Sequence, residues 1–102
     1  MAEIRELTEK DFDAAVAAGT VLVDFWAPWC SYCRVLGSVI EQALSAAPDT
    51  AVVLKVNIDD YPELAARFSV TTIPTLILYK DGKNVATCGM VPKAKIIEML
   101  SM

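Results

Sequence analysis

The chain has 102 residues, 55% of them hydrophobic and 22% charged, which suits one domain over 1–102 with a core of its own and excludes two domains or a disordered chain. Nine Lys and Arg against 13 Asp and Glu give a net charge of -4 with no histidine. There is therefore no basic field to gather nucleic acid, and the commonest metal ligand and neutral-pH general base is missing, so any chemistry rests on cysteine or carboxylate.

In chain order, Met1-Ala2-Glu3-Ile4-Arg5-Glu6 is acidic and lacks the apolar stretch of a secretory signal. Charged residues such as Asp24, Arg34 and Lys55 interrupt each apolar run before it reaches the 18 or so residues of a membrane span. The expectation is a soluble, cytoplasmic protein with no membrane partner. Ile4 to Leu7 suits a short edge strand. Thr8-Glu9-Lys10-Asp11 has the look of a helix cap, and Phe12 and Val16 follow at helical spacing, so a short helix ending near Gly19 is predicted. Val21 to Trp26 is a continuous β-branched and aromatic run, read as a central strand covered on both faces, in which Asp24 is the anomaly.

The next segment holds two of the three cysteines as Cys30-Ser31-Tyr32-Cys33. From Tyr32 to about Ala47, Leu36, Ile40, Ala43 and Leu44 form one apolar stripe closed by Pro48, so the pair sits at a helix start. Ala51 to Asn57 is a second strand. Asp59-Asp60-Tyr61-Pro62-Glu63 reads as an acidic cap opening a helix to about Phe68. Thr75 to Tyr79 and Val85 to Cys88 flank Asp81-Gly82, a strong hairpin signal, and Pro92 opens a closing helix with Ile96, Ile97 and Leu100 on one side. The class is α/β, with a mixed central sheet.

A cysteine pair at a helix start has a physical logic. The unpaired N–H groups and the positive dipole end there favour a thiolate at the first, solvent-facing cysteine, and the second, one turn inside, is placed to attack a mixed disulfide. A zinc half-site is the plain alternative, but it lacks the usual four ligands. Metal binding by Cys30, Cys33 and Cys88 in a dimer is a further reading. Cys88 by itself reads either as a small buried hydrophobe or as a regulatory thiol.

Val23-Asp24-Phe25-Trp26-Ala27-Pro28-Trp29-Cys30, Lys55-Val56-Asn57-Ile58-Asp59, Val70-Thr71-Thr72-Ile73-Pro74-Thr75 and Asp81-Gly82 followed by Gly89 resemble, in order, the motifs of the thioredoxin family. The resemblance spans essentially the whole chain. It implies the thioredoxin fold, a central mixed five-stranded sheet flanked by four helices, and a protein-disulfide reductase acting on disulfide-containing target proteins. It also implies a thioredoxin reductase as electron donor, a monomer, and no cofactor or metal beyond the redox-active Cys30-Cys33 pair.

Carried over by position, Cys30 is the attacking thiol, Cys33 the resolving thiol and Asp24 a buried proton acceptor, with Lys55 near that carboxylate. Trp29, Ser31, Tyr32, Ile73, Pro74 and Gly89 line the substrate groove, Pro74 matching the family's cis proline; Trp26 reads as a core aromatic. Three departures stand out. Ser31-Tyr32 replaces the usual Gly-Pro, and its tyrosine is similar to that of glutaredoxins; Ser38 stands where a helix-kinking proline is usual, after Gly37; and Cys88, next to Gly89, is unusual. The competing functional readings are a glutaredoxin-like reductase and a non-catalytic subunit that holds partners around Trp29 and Ile73.

Overall fold

The computed structural model describes residues 3–6 and 9–102. Five strands, β1 (Glu3–Glu6), β2 (Thr20–Trp26), β3 (Val52–Asn57), β4 (Thr75–Lys80) and β5 (Lys83–Cys88), form one sheet in the order β1-β3-β2-β4-β5. β1 and β2 run parallel to β3, while β4 is antiparallel to both β2 and β5. The predicted edge strand is thus present as β1. The helices are α1 (Phe12–Ala15), preceded by a 3₁₀ turn at Glu9–Asp11, α2 (Ser31–Leu44), α3 (Pro62–Arg67) and α4 (Lys93–Leu100).

Strand periodicity sorts the core into two layers. Leu22 of β2, Val53 of β3, and Leu76 and Leu78 of β4 meet the stripe Leu36, Ile40, Ala43 and Leu44 of α2 and Ile96, Met99 and Leu100 of α4. Their neighbours along the strands, Val21, Val23, Phe25, Leu54, Val56, Ile77 and Tyr79, turn to the other face and meet Phe12, Val16, Leu64 and Ala65. β2 is covered on both sides, as its unbroken apolar run requires. Each large side chain buried here contributes about 1.5–3 kcal/mol of transfer free energy.

The element ends differ from expectation where local chemistry intervenes. α1 stops at Ala15, before Gly19, because the chain must turn back into β2; Gly19 sits at φ 74°. The proposed Thr8 cap, and Leu7 at the end of the first strand, lie outside the described residues. α2 ends at Leu44, short of Ala47. The cap of α3 is Tyr61, with no side-chain hydrogen bond, while the Asp59 N–H donates to Asn57 Oδ1 at 3.0 Å. β5 begins at Lys83, directly after a two-residue turn in which Asp81 (φ 50°) and Gly82 (φ 84°) both adopt the left-handed conformation that such a hairpin demands. A side chain at Gly82 would also press on the Ala17 carbonyl oxygen, 3.2 Å from an ideal Cβ.

Candidate active site

Cys30 is the N-cap of α2, with extended backbone (φ -93°, ψ 108°). The Cys33 N–H, one of the helix's unpaired donors, points at Cys30 Sγ at 3.1 Å. The two cysteines are joined as a disulfide, with Cα atoms 5.2 Å apart. Cys33 begins the inward stripe that continues through Leu36 and Ile40, so it faces the sheet. Cys30 is less open than expected: it is 7% exposed, against 3% for Cys33. Ala27, Ile58, Ile73 and Trp26 pack around the pair.

Behind the pair, Asp24 is 1% exposed. By strand alternation it shares the face of Leu22, the face that α2 covers. Among the described residues, neither of its oxygens has a hydrogen-bond partner. Desolvation raises its pKa from 3.8 to about 7, against the pull of the Lys55 ammonium and with a further push from Glu6. Lys55 is its direct neighbour in β3. The Lys55 ammonium lies over the Trp26 ring, 4.3 Å from the centroid. Trp26 thus touches the lysine as well as packing on the cysteine pair, and among the described residues its buried indole N–H is likewise without a partner.

The opposite wall is the 73–75 loop. The Ile73–Pro74 peptide is cis, and the Ile73 carbonyl oxygen lies 3.9 Å from Cys30 Sγ. Pro74 is buried, whereas Ile73 is half-buried with its backbone beside the sulfur. Gly89 closes this side: an ideal Cβ there would sit 3.5 Å from the Pro74 carbonyl oxygen. Around the rim, Trp29 and Tyr32 are each 67% exposed and Ser31 is exposed. The structure thus brings all ten predicted site residues to one end of the sheet and the start of α2.

Three further residues at this end escaped the sequence reading. The Trp29 indole N–H donates to the Asp59 carboxylate at 3.1 and 3.2 Å, a contact across 30 residues in a segment that reads as a helix cap. The Arg34 guanidinium donates to the Pro28 carbonyl at 3.1 Å and ties the loop to the helix's first turn. Glu6 becomes relevant only through the pairing of β1 with β3. Cys88 is half-buried on β5, opposite Leu76 and packed against the α2–α4 layer; burial pushes its thiol up, against the pull of Lys95. Among the described residues there is no group of three or more His, Cys, Asp or Glu placed to hold a metal ion. Nor is any helix among them long and apolar enough to cross a membrane.

A scan against family models matches residues 3–102 to the family described as Thioredoxin. The thioredoxins of Staphylococcus aureus strains Mu50 and MW2 are each 41% identical over 98 residues, covering 95% of this chain and 94% of theirs. A mutant thioredoxin from Halobacterium salinarum NRC-1 superposes with a TM-score of 0.83 at 28% identity, covering 97% of this chain and 88% of that one. With a cysteine pair closed as a disulfide at a helix start, in the five-stranded, four-helix fold of these relatives, the chain belongs to the thioredoxin family and is a thiol-disulfide oxidoreductase of the protein-disulfide reductase type.

Proposed function

We propose that the chain acts as one thioredoxin domain that reduces protein disulfides through Cys30, with Cys33 resolving and Asp24 accepting the proton. The observation that carries these roles is the Cys33 N–H aimed at Cys30 Sγ from the helix N-terminus. In the reduced protein that donor and the helix dipole stabilise a thiolate at Cys30 and nowhere else in the pair. The thiolate attacks a target disulfide: a Cys30–target S–S bond forms, the target's own S–S bond breaks, and the departing sulfur leaves as a thiolate that takes up a proton from water. Cys33 then gives its proton to the Asp24 carboxylate and attacks Cys30 Sγ. The Cys30–Cys33 disulfide forms, the second target sulfur departs, and two electrons have passed from the dithiol to the target.

Substrate backbone is held, on this reading, along Ile73 and Pro74, with Gly89 leaving room and Trp29, Ser31 and Tyr32 forming the rim. Disulfide-containing proteins are the substrates and a thioredoxin reductase restores the dithiol. On this reading the protein works as a cytoplasmic monomer. The test is mixed-disulfide trapping. Cys33→Ser is expected to accumulate a covalent adduct with target proteins through Cys30, visible by non-reducing electrophoresis and reversed by reductant. A Cys30→Ser variant that traps targets through Cys33 instead would reverse the roles.

A further inference from the structure

The sheet register builds a row that the dithiol chemistry does not itself explain. Glu6 of β1 pairs with Lys55 of β3, which pairs with Asp24 of β2. In-register parallel neighbours share a face, and Ile4, two residues before Glu6, packs on the α2–α4 layer together with Val53, its partner in β3. Glu6, Lys55 and Asp24 therefore lie side by side on the face that α2 covers. They run from solvent inward: Glu6 is exposed, Lys55 half-buried and Asp24 buried. The one cation of β1, Arg5, turns to the opposite face and pairs with Glu3 at 2.8 Å. It is thus directed away from Glu6.

The Lys55 ammonium has competing attractors along this row. It lies over the Trp26 ring, which itself packs on the cysteine pair, and it flanks the unpartnered Asp24 carboxylate. The Glu6 carboxylate, register partner of the same lysine on its solvent side, adds negative potential that opposes the lysine's positive potential at Asp24. Among the described residues, β4 sets uncharged Leu76 beside Asp24, and α2, which covers this face, turns Cys33 inward, uncharged in the disulfide.

We propose that Glu6 is a positioning residue of the disulfide-reducing reaction, the third member of a Glu6–Lys55–Asp24 row that opposes the lysine's hold on the buried carboxylate and so keeps Asp24 able to take the Cys33 proton near neutral pH. The inference rests on the role given to Asp24 above. The direction of Glu6's influence on Asp24, upward, agrees with it.

The test separates the row from the reaction. The Asp24 carboxyl is titrated by ¹³C NMR in the oxidised protein, which reports its ionisation whether or not it serves catalysis. Glu6→Gln is expected to lower the midpoint by about half a pH unit at low salt, roughly a threefold gain in ionised Asp24 on the acid side, and by less at high salt because Glu6 is solvent-exposed. Glu6→Asp, which keeps the charge, should restore most of the original midpoint. The acid limb of the rate of mixed-disulfide resolution should move by the same amount. A midpoint that stays put in Glu6→Gln, with far-ultraviolet circular dichroism showing an intact fold, overturns the proposal. A midpoint that moves while the rate profile does not also overturns it. In that case a resolution rate unaffected by Asp24→Asn would place the fault in the role of Asp24, and a slowed one would place it in the coupling to Glu6.

Discussion

Asp24 is the residue whose environment most departs from its type. Among the described residues nothing hydrogen-bonds its carboxyl group; a carboxylate so placed in an apolar layer is stable only when protonated or when its charge is balanced nearby, and Lys55 supplies only part of that balance. A pKa of about 7 makes it half-ionised where thiol chemistry runs, which suits a group that takes a proton and returns it. Asp24→Asn is expected to slow resolution of the mixed disulfide about tenfold or more at pH 7 while leaving the first attack by Cys30 nearly unchanged. Stopped-flow measurement of the two steps separates them. A resolution rate that is the same in both proteins from about pH 6 to 8 would assign proton removal to water or to Lys55.

Among the elements, α2 carries the chemistry and the departures from the family pattern. With Ser38 at the place of the usual kinking proline and Gly37 before it, it runs without interruption from Ser31 to Leu44. Gly37 has a helical backbone, and an ideal Cβ there meets nothing within 4 Å. Gly37→Ala should therefore raise stability by about 0.5–1 kcal/mol, read as a higher denaturant midpoint at constant slope. A lower midpoint would mean that the glycine serves a motion of the helix.

The dipeptide at the helix start acts on redox poise. Tyr32 restores a backbone N–H that proline lacks, adding a donor to the unpaired set that stabilises the Cys30 thiolate, and its ring, 67% exposed, stands out in solvent rather than over the disulfide. Both favour the reduced state. The expected potential lies above the roughly -270 mV of thioredoxin and toward the glutaredoxin range of about -200 to -230 mV. Equilibration against a thioredoxin with Gly-Pro measures it, and the double variant Ser31→Gly with Tyr32→Pro should return it toward the reference. A potential at or below the reference in the native sequence would contradict this account.

At the scale of the whole molecule, the buried carboxylate leaves its mark on the pH dependence of stability. The folded pKa of Asp24, about 7, lies above its ordinary value of 3.8. The native state therefore binds a proton that the unfolded chain has released between these two values. Stability supplied by this group is full below about pH 4 and is lost as pH rises toward 7. The span is on the order of 4 kcal/mol at most, less whatever relaxation around the charge recovers. Asp24→Asn should remove this slope and be more stable than the native chain at pH 8, as judged by urea unfolding at several pH values. If the two proteins lose stability in parallel across that window, other groups carry the dependence.

The sequence by itself determined the elements and the chemistry. Continuous β-branched runs in the strands, the apolar stripe of α2, and turn residues such as Asp81-Gly82 act over a few residues, so they can be read locally. The place of Cys30 and Cys33 at a helix start is likewise local, since the stripe beginning at Cys33 and the proline before Trp29 bracket it. What only the tertiary structure decided is which distant groups meet. Burial of Cys30 draws on Ile58 and Ile73, and the clamp on Trp29 comes from Asp59. The placing of Glu6 beside Lys55 comes from a parallel pairing whose partners lie 49 residues apart in the chain (Glu6 and Lys55). Such contacts depend on sheet order and register, which arise from packing of the whole core, and no local pattern around Glu6, Arg34 or Asp59 distinguishes them from ordinary surface charges.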